Sequence, residues 1–532
     1  MPQPQAKLGD SRDMTTGSVA KKLILFALPV LGGSIFTQLY NVVDSIVVGQ
    51  YEGAAALASV GTSMPINMLC NSVFMGLGTG SSVLVSQFYG AKQNDELNKM
   101  VNTTYTLALI IGTIITVLGM LIARPILELL NTPANMIENA TIYLRIVFFG
   151  SLGHLFYQMG SAVLRGLGDS KWPMYFLIIC SVLNIILDLL FVVAFHWGVA
   201  GVAWATIIAQ LISGIGVVIR TLKGGYGVRI NLKTLRIDGH KALLLAKIGI
   251  PSALSMLISS MGMLVIQRFN NGFGSDFVAG MTIMMKVDGF ALIPMQALGM
   301  AVTTFVGQNM GAGKDDRVHK GVRTTMILII AMGAIMGAIM YFFGYQLGAI
   351  FTKEEAAKEV CMIGLRIVFI MYIAMGLQQA FQGIMRGAGA ATVPMVIALV
   401  CMLVRIPAAY LLAVRPDNFR GIFYSMIISS YLGAILLYVY YKMGGWKKHV
   451  AVRRGGPAGG PGGPGGPGGR PGFPGAPEVE EAIESAEAEV ATQAALAADG
   501  ATAAEVAEFA TEIAEAADLG AADAGDSDDA GE

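Results

Sequence analysis

From Leu23 onward the chain reads as long apolar runs separated by short polar interruptions. The runs span about 22–49, 55–85, 100–122, 138–163, 173–195, 198–220, 246–268, 277–306, 323–350, 360–384, 392–413 and 421–441. Most are too long and too evenly apolar for the one-faced pattern of a surface helix. A membrane barrel would instead alternate in segments of about ten residues. A run of roughly 20 apolar residues is what one helical crossing of a bilayer needs. The pattern therefore predicts an all-α integral membrane protein with twelve transmembrane helices.

The runs repeat. LRIVF stands at 144–148 and again at 365–369, an offset of 221. The same offset carries Gln87-Phe-Tyr-Gly-Ala onto Gln308-Asn-Met-Gly-Ala, Arg165-Gly-Leu-Gly onto Arg386-Gly-Ala-Gly, and Pro173-Met onto Pro394-Met. Five ordered matches, counting LPV at 28–30 against IPS at 250–252, are beyond chance and mark a duplicated unit. Six spans per unit is an even number, so the second copy keeps the orientation of the first. Two parallel six-helix repeats around a central cleft follow. The expected divisions are an N-terminus over 1–20, a first lobe over 21–220, a linker over 221–245 and a second lobe over 246–445. A Gly/Pro-rich linker over 446–477 and an acidic Ala/Glu-rich tail over 478–532, expected to be disordered, complete the chain.

Composition agrees with a membrane protein. Of 532 residues, 54% are apolar in type and 14% charged, against about 25% charged in soluble domains. The formal net charge of zero hides a segregation: residues 471–532 hold 17 acidic residues and no Lys or Arg. Lys and Arg beside one alternate set of loops number 25, against 6 beside the other. That bias predicts a multi-pass cell-membrane protein with both termini cytoplasmic. The polar first 20 residues hold no apolar core with a cleavage site, so no cleaved signal is expected. Cys70, Cys180, Cys361 and Cys401 fall inside apolar runs without a CxxC pair, which argues against a disulfide or metal framework. MGLGTGSS at 75–82 and GAGKD at 311–315 lack the GK[ST] of a phosphate-binding loop. With no nucleotide motif, energy is expected from an ion gradient.

LPVLGGSIFTQLYNVVDSIVVG, VSQFYGAK, LRGLGDSKWP and NIILDLLF in the first half, with VGQNMGAGK and MRGAGAATVP in the second, resemble the multidrug and toxic compound extrusion (MATE) family. The branch resembled is that of the DNA-damage-inducible F proteins, over about residues 15–445. The resemblance implies export of organic, often cationic, compounds in exchange for protons or sodium. It carries the cation site onto Asp44 of the first helix and onto Asn184 and Asp188 of the fifth, whose spacing places them on one helix face. Other branches have a glutamate in the seventh helix and an aspartate in the tenth. Here PSALSMLISSMGMLVIQ and the Gln378, Gln379 and Gln382 segment hold no acid, which favours coupling through the first half.

A carboxylate at mid-bilayer costs about 2.5–3.5 kcal/mol on insertion scales, so Asp44 must face water or a partner, or take up a proton. A purely structural Asp44, tied to a neighbouring helix through Tyr40, Asn41 or Asn184, is the bland alternative. Gln38, Tyr40, Asn41 and Gln158 are the expected substrate-cavity residues. Lys286, Asp288 and Gln378 form a candidate polar site in the second lobe. The repeat-related Arg145 and Arg366 read as interfacial anchors, and Arg405 has no assigned role. No cofactor is expected, and no metal beyond sodium at the Asp44, Asn184 and Asp188 site. The expected partners are small drug-like molecules and membrane lipid, without nucleic acid, and the chain is expected to be a monomer.

Two rival readings were weighed. A lipid-linked precursor flippase would need an Arg-rich cleft, whereas the mid-membrane polar residues named above read as acidic or neutral. An intramembrane aspartyl protease would use GLGD at 166–169, but that motif ends a helix, and its repeat copy GAGA lacks the acid. A non-enzymatic transporter is therefore expected.

Overall fold

The computed structural model describes residues 12–47, 61, 63–129, 132, 133, 136–223, 226, 228, 237–352 and 354–452, with the backbone alone for 40–47 and 64. Thirteen helices of 14 residues or more run through them. In the first half these are α1 (Val19–Val47), α2 (Met64–Gly90), α3 (Asn94–Leu129), α4 (Ile137–Gly166), α5 (Lys171–Asp188) and α6 (Gly198–Lys223). The second half holds α7 (Gly239–Asn271), α8 (Ser275–Gly311), α9 (Asp315–Phe351), α10 (Glu355–Val368), α11 (Met371–Ala388), α12 (Thr392–Ala409) and α13 (Arg420–Met443). Eleven are long and apolar enough to cross a membrane, and α10 with α11, bent by 60°, makes the twelfth span. The predicted single span 360–384 is thus two helices. At the break the freed Ile370 carbonyl accepts a hydrogen bond from the Tyr431 hydroxyl at 3.0 Å.

The two halves pack alike. α1 lies on α5, α2 on α4 and α4 on α6; in the second half α7 lies on α12, α8 on α11 and α11 on α13. Even a local irregularity repeats: α5 ends in a π-helical turn at Leu189–Ala194 and α12 in one at Tyr410–Val414, 221 positions on. Between the halves, α2 lies on α7 and α8, and α1 on α8. The outer faces of α3 and α9 leave Leu121 and Phe342 exposed at 68% and 69%. Such surfaces suit a hydrocarbon solvent, not water.

The polar turns are pinned. Asp238 accepts from the backbone amides of His240 and Lys241 and so starts α7. Asp169 accepts from the amides of Lys171 and Trp172 at 3.1 and 3.3 Å and from the Tyr226 hydroxyl at 2.7 Å. Burial, then the bond to this carboxylate, pushes the Tyr226 phenol above its ordinary pKa, so it stays a donor. With its oxygens committed to a helix start and to the linker, Asp169 has a structural role, which removes the basis of the protease reading.

Candidate functional site

A cavity of about 710 Å³ lies between the halves. Its lining follows the duplication. Gly78, Ser82, Gln158 and Arg165 face it from the first half, and their repeat mates Gly299, Thr303, Gln379 and Arg386 face it from the second. Apolar flexible side chains, among them Met75, Met174, Met256 and Met300, complete the wall. Such side chains repack around different shapes.

One end of the cavity is closed by backbone meeting backbone. A Cβ added at Gly90 would overlap the Gln308 carbonyl, and one at its repeat mate Gly311 would overlap that of Gln87. The two glutamines lock the joint reciprocally. Gln87 Nε2 donates to the Gly387 carbonyl at 3.0 Å, and Gln308 Nε2 to the Gly166 carbonyl at 3.2 Å. Each glutamine oxygen then takes a terminal segment. Met14 N donates to Gln308 Oε1 and Ala451 N to Gln87 Oε1, both at 2.9 Å. The N-terminal strap is held further by Asn309 and Arg317 on the Met14 carbonyl (3.2 and 3.1 Å) and by Lys314 on that of Thr15 (2.8 Å). A pair across the halves, Lys241 to Glu96 at 2.6 Å, sits at the same end. Because these groups are largely buried, each bond is costly to break singly.

The MatE family profile matches residues 29–190 and again residues 251–411, one match in each half. The chain belongs to the MatE family. It is a transporter and not an enzyme. Among relatives, the probable multidrug resistance protein YpnP of Bacillus subtilis is 30% identical over 436 residues, covering 82% of this chain and 97% of its own. YoeA of the same organism, also a probable multidrug resistance protein, is 29% identical over 445 residues, 82% and 96% of the two chains. Two solved structures share the fold. A multidrug resistance MATE family transporter in an outward-facing conformation has a TM-score of 0.79 at 22% identity, over 83% of this chain and all of that one. A transporter of the MOP superfamily from Pyrococcus furiosus, described as having a binding pocket of reverse polarity that suggests a different function, has a TM-score of 0.77 at 22% identity, over 82% and 98%.

In this MatE protein the expected residues fall unevenly. Asn184 lines the cavity and donates to Thr206 Oγ1 at 3.3 Å. Asp188, one turn on, is fully buried. Gln158 lines the cavity. Gln38 lies beside Gly289 on α8, outside the cavity lining. Asp44, Tyr40 and Asn41 belong to α1 by backbone, and their side chains lie outside the described residues. The second-lobe candidates are not brought together. Asp288 accepts from the Tyr372 hydroxyl, Lys286 is exposed with its ammonium 5.8 Å from the Phe351 ring, and Gln378 donates to the Ser430 carbonyl at 2.7 Å. It is the next residue, Gln379, that faces the cavity.

Three things escaped the sequence reading. The glutamine pair served there only as a repeat landmark. Arg165 and Arg386, counted as loop cations, stand in last helical turns and line the cavity. The expectation of an acidic or neutral cleft therefore fails over the described lining, which holds these two arginines and no carboxylate. Finally, the offset of 221 places Arg405 where the first half has Asn184, and Ala409 where it has Asp188. Polar residues recurring at one offset in both halves were the available signal for the first two; comparing non-identical mates would have given the third.

Proposed function

We propose that the protein is a secondary active exporter of drug-like organic compounds, driven by exchange for protons or sodium across the cell membrane. The observation that carries this reading is a cavity between two like-packed halves, sealed at one end by reciprocal, breakable contacts. A rocking of lobes 21–220 and 246–445 about that joint would expose the cavity to each side in turn. With both termini cytoplasmic, as the loop charges favour, the sealed end is the cytoplasmic one and the state is outward-facing. The printed descriptions of YpnP and YoeA as multidrug resistance proteins support the cargo class.

Coupling is assigned to Asp44, Asn184 and Asp188 in the first half. The buried carboxylate of Asp188 beside Asn184 is one support. The other is the second half, where a guanidinium, Arg405, replaces Asn184 and an alanine replaces Asp188. A fixed positive charge there repels the mobile cation that the first half would bind. The protein is taken to act as a monomer in lipid. Asp44→Asn is expected to lower gradient-driven export at least 100-fold with normal membrane insertion. Transport into proteoliposomes, with proton and sodium gradients imposed separately on wild type, identifies the ion. Unchanged export by the variant would remove Asp44 from the mechanism.

A further inference from the structure

The cavity floor carries two positive charges without a countercharge. Arg165 ends α4 and Arg386 ends α11, and each directly precedes the glycine whose carbonyl accepts a sealing hydrogen bond. The two guanidinium groups thus belong to one level of the cavity, next to the joint. Arg386 donates through one terminal nitrogen to Gln382 Oε1 at 2.8 Å, while its Nε is buried without a hydrogen-bond partner. No carboxylate lines the cavity among the described residues, and its further polar groups include Ser82, Ser170, Thr303 and Gln379. The negative ends of the two helix dipoles explain how the charges are tolerated. They leave the planar N–H donors of the forks unfilled, and those donors match a carboxylate or phosphate in geometry as well as charge. Above the floor the wall is methionine, leucine and phenylalanine, from Met75, Met174, Leu177 and Phe74 to Met256 and Met300.

We propose that Arg165 and Arg386 bind the anionic group, carboxylate or phosphate, of an amphiphile whose apolar body lies along the methionine wall. This substrate class rests on the export reading above. It extends that reading to anionic and zwitterionic cargo. The same chemistry is offered by a free organic anion and by a phospholipid headgroup.

The test measures binding and export separately. The full-length protein in detergent is titrated with a fluorescent long-chain carboxylate and with its methyl ester, at low salt. The carboxylate is expected to bind at least ten-fold tighter, and Arg165→Gln with Arg386→Gln to abolish that preference while the ester still binds. Equal affinity of wild type for acid and ester overturns the proposal without any variant, as does a preference that survives in the double variant. Arg165→Lys with Arg386→Lys, which keeps the charge but loses the fork, is expected to retain part of the preference; if it retains all of it, the bidentate site is wrong. Displacement of the carboxylate by phosphatidate in phosphatidylcholine nanodiscs assigns the site to a lipid headgroup. Resistance to phosphatidate, with displacement by soluble carboxylates, assigns it to free organic anions. Export by wild-type proteoliposomes, assayed with a lipophilic cation as well, keeps the two readings apart. Export without the acid-over-ester preference sinks the floor site alone, and absence of all export sinks the transporter reading.

Discussion

Replacing Gly90 with valine is expected to abolish export while leaving the protein inserted and folded. The reason is that Gly90 has space on its own side of the joint and none on the other. Any Cβ there occupies the place of the Gln308 carbonyl, which is backbone of the opposite half and has no rotamer to escape into. Within α2 itself the exchange costs little, since valine is a better helix residue than glycine. The strain therefore falls on one conformation, the one sealed at this end. Inverting a two-state population from 99:1 to 1:99 takes about 5.5 kcal/mol, which a backbone overlap readily supplies. Gly311→Val, its repeat mate, should act alike through the Gln87 carbonyl. Cys180 lines the cavity and reports the change. In inside-out vesicles it should react with an impermeant maleimide at least ten-fold faster in either variant than in wild type, with Cys180→Ser as the blank. Wild-type labelling and export in both variants would show that the joint does not gate.

Truncation after Met443 should destroy the protein, whereas truncation after Arg454 should leave export intact. The boundary is set by packing. Trp446 is 1% exposed, stacks on Tyr441 with ring centroids 5.5 Å apart and donates to the Tyr441 carbonyl at 3.0 Å. Ala451 supplies the amide that satisfies Gln87, and Val452 is buried in the first half's core. A tryptophan buries about 150–250 Å², so at about 25 cal/mol per Å² its loss alone costs about 4–6 kcal/mol as an upper estimate. That is a large share of the ~5–15 kcal/mol that holds a typical domain together. Size-exclusion profiles of the two truncations in detergent, with export by the survivor, decide the matter. A monodisperse, active protein ending at Met443 would refute the strap's role.

Much of the architecture was legible because it depends on solvent. A bilayer demands about 20 apolar residues per crossing and satisfied backbone groups throughout, so hydropathy alone marks the helices. The duplication was legible because LRIVF, QxxGA and RGxG survive at one offset. The same LRIVF also shows the limit. At 144–148 it runs unbroken through α4, while at 365–369 it ends where α10 breaks from α11. Five identical residues take two backbone courses because Tyr431 of α13 takes up the free carbonyl at 370. That partner lies 61 residues away, beyond any local pattern.

By itself, the sequence determined the all-helical membrane class, the twelve spans, the two parallel halves and the confinement of the N-x-x-x-D carboxylate to one of them. These follow from periodicity, chain solvation and internal comparison. Only the tertiary structure decided what lies between the halves. It turned two landmark glutamines into a reciprocal lock and two apparent loop arginines into a cavity floor. It also separated Gln379, which faces the cavity, from Gln378, which is spent on the Ser430 carbonyl. Which side of a helix meets the other half depends on how two six-helix units dock. Docking is fixed by glycine-permitted backbone approach and by bonds spanning about 300 positions of sequence, and no local pattern encodes either.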